Sequence, residues 1–220
     1  MIRDIDGNIV PFGKVERKLE ECFLGSALPA WLTVTGTGSG SIVLPHVDYG
    51  YYQLTTGETV NNLVTLNILP TGIDMTKFKE IKLDIDALVF GSNEETVDFF
   101  VGMIDSAVDR GFTIQHLFTG TVGYAFDVRT RHTTGDTVQE INYDLMANGD
   151  WQRRRNLTIR LRSDSTISLA ENDSVFWEKT IPSTEMLLNG VLLPTISLRT
   201  RTAGAKYVRF SRIALTLIHN

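Results

Sequence analysis

Asn156-Leu157-Thr158-Ile159-Arg160-Leu161-Arg162, Ser163-Asp164-Ser165, Thr166-Ile167-Ser168-Leu169-Ala170, Asn172-Asp173 and Ser174-Val175-Phe176-Trp177 decide the fold. Leu157, Ile159 and Leu161 alternate with Thr158, Arg160 and Arg162, and Ile167 and Leu169 alternate with Ser168 and Ala170. A period of two puts one set of side chains on each face of a strand. The polar clusters between the runs are too short for a crossover, so the three strands form an antiparallel meander.

The same pattern extends in both directions. In Glu80–Val89, Ile81, Leu83, Ile85 and Ala87 alternate with Glu80, Lys82, Asp84 and Asp86. Val97–Ile104 is apolar on both faces, with Phe99, Val101 and Met103 on one and Phe100, Gly102 and Ile104 on the other. That predicts a central strand covered on both sides. Further strands are expected at Trp31–Thr35, Ser39–Leu44, Tyr51–Thr55, Asn62–Ile68, Phe112–Phe118, Tyr124–Arg131 and near Gln139–Tyr143. Pro70 to Lys79 reads as a polar connection with room for one helical turn. Ile196–Thr202 and Lys206–Ile218 read as a closing hairpin around Gly204. Val208 and Phe210 have one parity while Ile213, Leu215 and Leu217 have the other, which predicts a β-bulge near Ser211-Arg212.

One segment has the helical period. Between Lys14 and Leu24, the residues Val15, Leu19, Cys22 and Phe23 make one apolar stripe, and Gly25 stands at the C-cap position. Cys22 on that stripe is expected to be a buried thiol. The fold class that follows is all-β: a two-sheet antiparallel jelly-roll sandwich with one short N-terminal helix. Residues 1–24 are expected to form an arm outside a sandwich of residues 25–220, docked on its surface or on a neighbouring chain.

Composition narrows the function classes. A chain of 220 residues, 42% hydrophobic, is long enough for one large β domain. No apolar run approaches the ~20 residues of a membrane-spanning helix, so no membrane insertion is expected. Met1–Gly7 lacks the apolar stretch of a secretory signal, which predicts synthesis in a cytoplasm or export without such a signal. One cysteine excludes an internal disulfide framework. The net charge of −5 argues against nucleic acid as partner. Residues 1–110 hold eight Lys+Arg against sixteen Asp+Glu, whereas residues 111–220 hold thirteen against ten, with eleven of the fourteen arginines. Either the strands have differently solvated faces, or the halves offer complementary surfaces to each other's copies.

The pattern resembles the concanavalin A-like (lectin, laminin-G-like) sandwich, particularly the versions carried by bacteriophage virion proteins. Three stretches carry the resemblance, over about half the chain. The first runs from Phe23-Leu24-Gly25-Ser26-Ala27-Leu28-Pro29-Ala30-Trp31 to Tyr52-Gln53-Leu54-Thr55-Thr56-Gly57. The second is the meander from Asn156 to Trp177, which looks like the family's ligand-face strands. The third is Pro194-Thr195-Ile196-Ser197-Leu198-Arg199-Thr200-Arg201 with Lys206-Tyr207-Val208-Arg209-Phe210-Ser211-Arg212-Ile213. The resemblance implies a non-enzymatic virion accessory or adsorption-apparatus protein. Its partners would be other virion proteins, copies of itself and host-surface polysaccharide. The same fold also serves free carbohydrate-binding modules, glycosidases and lyases.

Candidate sites are few. Asp84 and Asp86 share a strand face about 7 Å apart, with Glu80 about 13 Å from Asp84, but no glycosidase-like spacing of acids emerges. His46, His116, His132 and His219 lack metal-ligand spacing. Asp48, Asp105, Asp109 and Asp173 stand in turns without an EF-hand-like run. No catalytic residue, metal or cofactor is therefore assigned. Three i, i+2 arginine pairs share polar strand faces: Arg129 and Arg131, Arg160 and Arg162, Arg199 and Arg201. Aligned in one sheet they would make a cationic surface for carboxylated or phosphorylated polymers. Cross-strand pairing with acids is the competing reading. Tyr49 and Trp151, in turn-like contexts, are the expected sugar platforms, with Tyr51, Tyr52 and Trp177 as further aromatics; Trp31 and Trp177 also read as core.

Overall fold

The computed structural model describes residues 2–3, 9–10, 16–22, 27–37, 41–43, 51–91, 96–105, 110–118, 124–132, 135–141, 153–186 and 190–220. Among them the strands are β1 (Ile2–Arg3), β2 (Ile9–Val10), β3 (Glu16–Glu21), β4 (Leu32–Gly36), β5 (Ser41–Val43), β6 (Tyr52–Thr55) and β7 (Leu63–Ile68). There follow β8 (Ile73–Asp74), β9 (Phe78–Phe90), β10 (Val97–Asp105), β11 (Arg110–Phe118), β12 (Tyr124–His132) and β13 (Gly135–Glu140). The chain ends with β14 (Arg155–Arg162), β15 (Thr166–Glu171), β16 (Ser174–Thr180), β17 (Val191–Thr200), β18 (Tyr207–Phe210) and β19 (Arg212–His219). A single 3-10 turn at Met75–Lys77, capped by Asp74, occupies the connection where one helical turn is expected. No helix among the described residues is long and apolar enough to cross a membrane.

Two antiparallel sheets pack as a sandwich. The eight-stranded sheet runs β13-β12-β11-β10-β17-β7-β4, with β8 on β17. The nine-stranded sheet runs β16-β15-β14-β9 and then divides along β9. Its first part pairs with β19, which carries β3, and its last two residues pair with β18, which leads to β6 and β5. The alternation seen in the sequence sets the core. Ile81, Leu83, Ile85, Leu157, Ile159 and Leu161 point inward from one sheet, and Val97, Phe99, Val101, Ile196 and Leu198 from the other. Phe90 and Phe99 meet across the sheets edge-on, their ring centroids 5.1 Å apart, a favoured aromatic geometry. On the outer side of β10, Asp98 and Gly102 are buried and Phe100 is half-buried.

Three expectations are corrected. Residues 16–21 are not helical: β3 pairs with β19 from Glu16↔Ile218 to Glu21↔Ile213. A short helix is marginal alone in water, whereas the free edge of β19 supplies a full ladder of backbone partners. The charges of Glu16, Arg17, Lys18, Glu20 and Glu21 suit an edge strand, which they protect from further pairing. With the helical stripe gone, Cys22 is exposed and not a buried thiol. The last two strand segments are not a hairpin either. β17 lies in the eight-stranded sheet between β10 and β7, and β18 and β19 lie in the other, so the turn at Gly204 passes the chain from sheet to sheet.

The parity change near Ser211 is present, with a different cause from the expected bulge. Val208 pairs with Phe90 and Arg212 with Asp86, so the register between β9 and its partner is unbroken. Both strands change faces at one level. Ala87 takes a left-handed φ of +51°, and the Ser211 N–H donates to Asp86 O at 2.9 Å. The register shift falls instead between β9 and β14, at Arg155/Leu157, where the Asn156 Oδ1 accepts the Ala87 N–H at 2.9 Å.

Candidate functional site

The two outer faces of the sandwich differ in chemistry. On the eight-stranded sheet, the register aligns two rows of side chains across six strands. One row is Thr33, Asn67, Thr195, Gly102, Thr113 and Arg129. Beside it lies the row Thr35, Thr65, Ser197, Phe100, Gln115 and Asp127. Strand separation of about 4.8 Å makes each row about 24 Å long. Hydroxyls and amides dominate this grid, with one aromatic ring, one guanidinium and one carboxylate. Thr65 and Ser197 share a hydrogen bond of 2.8 Å between their hydroxyls, and the Asn67 amide donates to Thr35 Oγ1 at 3.3 Å. Gly102 opens the middle of the grid; a Cβ there would stand 2.8 Å from Phe112 O and 3.2 Å from Thr113 Oγ1.

Thr113 Oγ1 and Arg129 Nε are shielded polar atoms of this face without a hydrogen-bond partner. Leaving such an atom unsatisfied costs about 1–3 kcal/mol, which an ordered water recovers. Asp127 Oδ1 is 3.8 Å from Arg129 Nε, too far for a hydrogen bond.

The outer face of the nine-stranded sheet is instead laced with ion pairs. Lys82 reaches Asp84 at 2.9 Å, and Thr158 Oγ1 donates to Asp84 at 2.6 Å. Arg162 lies 3.6 Å from Glu80 and 3.4 Å from Glu178. Arg212 bridges Glu20 and Asp86. The three carboxylates Glu80, Asp84 and Asp86 thus each have a cation beside them. Glu20 is held below the ordinary carboxylate range by hydrogen bonds from Lys18 and Arg212. Part of the uneven charge of the sequence is matched within the molecule: Glu20, Glu80 and Asp86 from the first half meet Arg162 and Arg212 from the second.

The arginine pairs do not share one sheet. Arg129 and Arg131 lie on β12 and Arg199 and Arg201 around the end of β17, while Arg160 and Arg162 lie on β14 of the opposite sheet. No single cationic surface results. Arg199 and Arg201 both converge on Asp98, which is fully buried, and the Arg199 guanidinium lies 5.3 Å from the Phe100 ring centroid. Arg160 has a shielded Nε without a hydrogen-bond partner. The side chain of Arg131, like residues Tyr49, Trp151, His46, Asp48 and Asp109, lies outside the described residues. Tyr52 is fully buried, its ring centroid 5.2 Å from that of Phe210, and burial pushes its phenol far up. Trp31 and Trp177 are partly buried against the core. His116 is buried, and His219 packs on Phe78 with ring centroids 4.5 Å apart. Among the described residues no three His, Cys, Asp or Glu side chains converge as metal ligands.

The hydroxyl grid is not among the sites that stand out in the sequence. Its signal is present there as i, i+2 pairs, Thr33/Thr35, Thr65/Asn67 and Thr195/Ser197, of the same kind as the arginine pairs but without their charge.

A two-sheet antiparallel sandwich with this topology is a lectin-like jelly roll. A protein of unknown function from Shewanella oneidensis MR-1 has a similar structure, with a TM-score of 0.62 and 10% identity, over 93% of this chain and 87% of that one. The CBM2 module of the evolved Dit of Lactobacillus casei BL23 phage J-1 is similar over 94% of this chain and 98% of that one, with a TM-score of 0.59 and 10% identity. The Emp46p carbohydrate recognition domain, in a potassium-bound form, matches over 89% and 94%, with a TM-score of 0.58 and 9% identity. No family model matches the chain, and no curated protein matches it in sequence.

Proposed function

We propose that this chain is a non-enzymatic carbohydrate-binding protein, serving as an accessory or adsorption component of a virion. The observation that carries the reading is the hydroxyl and amide grid of the eight-stranded sheet, in which Thr33 and Thr35 are exposed and Thr65, Asn67, Thr195 and Ser197 half-buried. Sugars present closely spaced hydroxyls that both donate and accept, and a rigid array of Thr, Ser, Asn and Gln answers them in kind. Phe100, half-buried in the middle of its row, adds an apolar surface for a sugar's C–H face. Around β14, β9 and β19 the outer face of the other sheet offers less, because Glu80, Asp84 and Asp86 are already beside cations.

A virion role is supported by the phage J-1 module, similar over nearly the whole of both chains. In that role the protein assembles with copies of itself and with other virion proteins, and the grid meets polysaccharide on the host surface. A glycan array covering neutral and acidic polysaccharides tests the reading, with the variant Thr195→Glu placing a bulky charge in the grid. Retention of a glycan by the natural chain and its loss in Thr195→Glu, with thermal stability preserved, is the expected result. Absence of binding across the array refutes carbohydrate recognition. Release of reducing sugars from a bound polysaccharide overturns the non-enzymatic assignment in favour of a polysaccharide-active enzyme. Light scattering after size exclusion tests assembly, and a strict monomer at micromolar concentration counts against it.

A further inference from the structure

On the outer face where β18 meets β6, the side chain of Arg209 is flanked by two tyrosines. Its Cζ lies 4.6 Å from the ring centroid of Tyr51 and 4.6 Å from that of Tyr207. Register explains the arrangement. Arg209 stands opposite Gln53, and Tyr207 opposite Thr55, one row to one side. Tyr51 precedes Gln53 by two residues and so occupies the row on the other side. Gln53 Oε1 accepts the Arg209 Nε–H at 2.8 Å, and Gln53 in turn donates to Thr55 Oγ1 at 3.0 Å. Tyr207 is seated over Gly91, where a Cβ would fall 1.7 Å from Cε2 of the ring. The guanidinium is therefore fixed in place by two rings and one amide.

No described carboxylate pairs with Arg209, in contrast to Arg155, Arg162, Arg199, Arg201 and Arg212. Arg209 and both tyrosines are half-buried. The rings offset part of the cost of desolvating the cation, but they do not neutralise it. A fixed guanidinium with its Nε already engaged presents its remaining N–H groups to a planar anion with little ordering cost.

We propose that Tyr51, Arg209 and Tyr207 form a binding site for the carboxylate of an acidic saccharide, distinct from the grid on the opposite sheet. The guanidinium takes the carboxylate, and the tyrosine rings flank the sugar. The inference rests on the carbohydrate reading above and adds the class of sugar: a uronate or sialate in place of a neutral unit.

Calorimetric titration of the full chain with oligogalacturonate, an alginate oligomer and 3′-sialyllactose tests this, with the corresponding methyl esters and lactose as neutral counterparts. At least one acidic ligand is expected to bind ten-fold or more tightly than its neutral counterpart, with that preference abolished in Arg209→Gln and reduced in Arg209→Lys. Circular dichroism and thermal melts establish that each variant is folded. An unchanged preference in folded Arg209→Gln overturns the proposal while leaving glycan binding by the grid standing. So does the absence of any acidic preference in the natural chain. Equal binding of sodium sulfate or acetate alone likewise overturns it, reducing the site to a general anion contact. Failure of every glycan, on the array and in titration, removes the carbohydrate reading itself.

Discussion

Asp98 on β10 and Arg199 on β17 stand opposite each other in the ladder, and Arg199 donates Nε–H and Nη2–H to Asp98 Oδ2 at 2.9 and 2.6 Å. Arg201 adds an N–H to Oδ1 at 3.1 Å. The carboxylate is entirely shielded, whereas the two guanidinium side chains are 38% and 36% exposed. Loss of the two sides is therefore unequal. The double variant Arg199→Met/Arg201→Met removes two cations from a fully buried carboxylate and is expected to cost about 3–5 kcal/mol. Asp98→Asn keeps an acceptor and leaves two cations that reach water, at an expected cost of about 1–2 kcal/mol. Urea unfolding of both variants measures the difference, and the reverse order refutes the asymmetry.

Stability should fall in acid. Asp164 is held below the ordinary carboxylate range chiefly by the Thr166 N–H and hydroxyl, and Asp74 chiefly by the Thr76 hydroxyl, then by Lys77 and the Thr76 N–H. Each carboxyl binds its proton more weakly in the folded chain than in the unfolded one. The stability so contributed is complete above the ordinary carboxylate pKa of about 4 and is lost as pH falls through the lower folded value. The melting temperature is expected to drop between about pH 5 and pH 2, with a shallower drop in Asp74→Asn/Asp164→Asn. Identical acid limbs in the double variant and the natural chain contradict this assignment.

Ala87 carries a φ of +51° at the point where β9 changes faces. A left-handed conformation costs an L-residue about 1–2 kcal/mol, and glycine escapes it. Ala87→Gly is expected to stabilise the chain, and Ala87→Val, with its branched Cβ, to destabilise it. Thermal melts of the pair check the sign; a lower melting temperature in Ala87→Gly excludes backbone strain as the dominant effect.

Deletion of residues 1–24 removes β3 and bares the edge of β19. Ile213, Leu215 and Leu217 are already buried by the opposite sheet, so the shortened chain is expected to keep its strand signal in circular dichroism. Its melting temperature should fall, and the open edge should promote self-association, visible in light scattering. Loss of the strand signal would show that β3 is needed for the sandwich to fold and does more than complete its edge.

Much of the core is legible in the sequence. Leu157, Ile159 and Leu161, like Ile81, Leu83 and Ile85, are buried as their alternation requires. The meander from β14 to β16 pairs as its short turns dictate. Less of the candidate site can be read there. The arginines of β12, β14 and β17 look alike in sequence, yet β14 belongs to the other sheet. Thr33, Thr65 and Ser197 carry no charge or ring to mark them singly and gain meaning only when their strands are placed side by side.

Local backbone geometry explains what the sequence determined alone: an all-β chain, its strand faces and most of its core. A period of two and a tight polar turn act over a few residues and need no distant partner. The tertiary structure decided that Glu16–Glu21 is a strand on β19, that β17 and β18 part to different sheets, and that Tyr51 and Tyr207 flank Arg209. Each of these depends on which strand supplies the neighbouring backbone, and that neighbour is far away in the chain. Its choice follows from burying both apolar faces at once, a condition on the whole molecule that no single segment expresses.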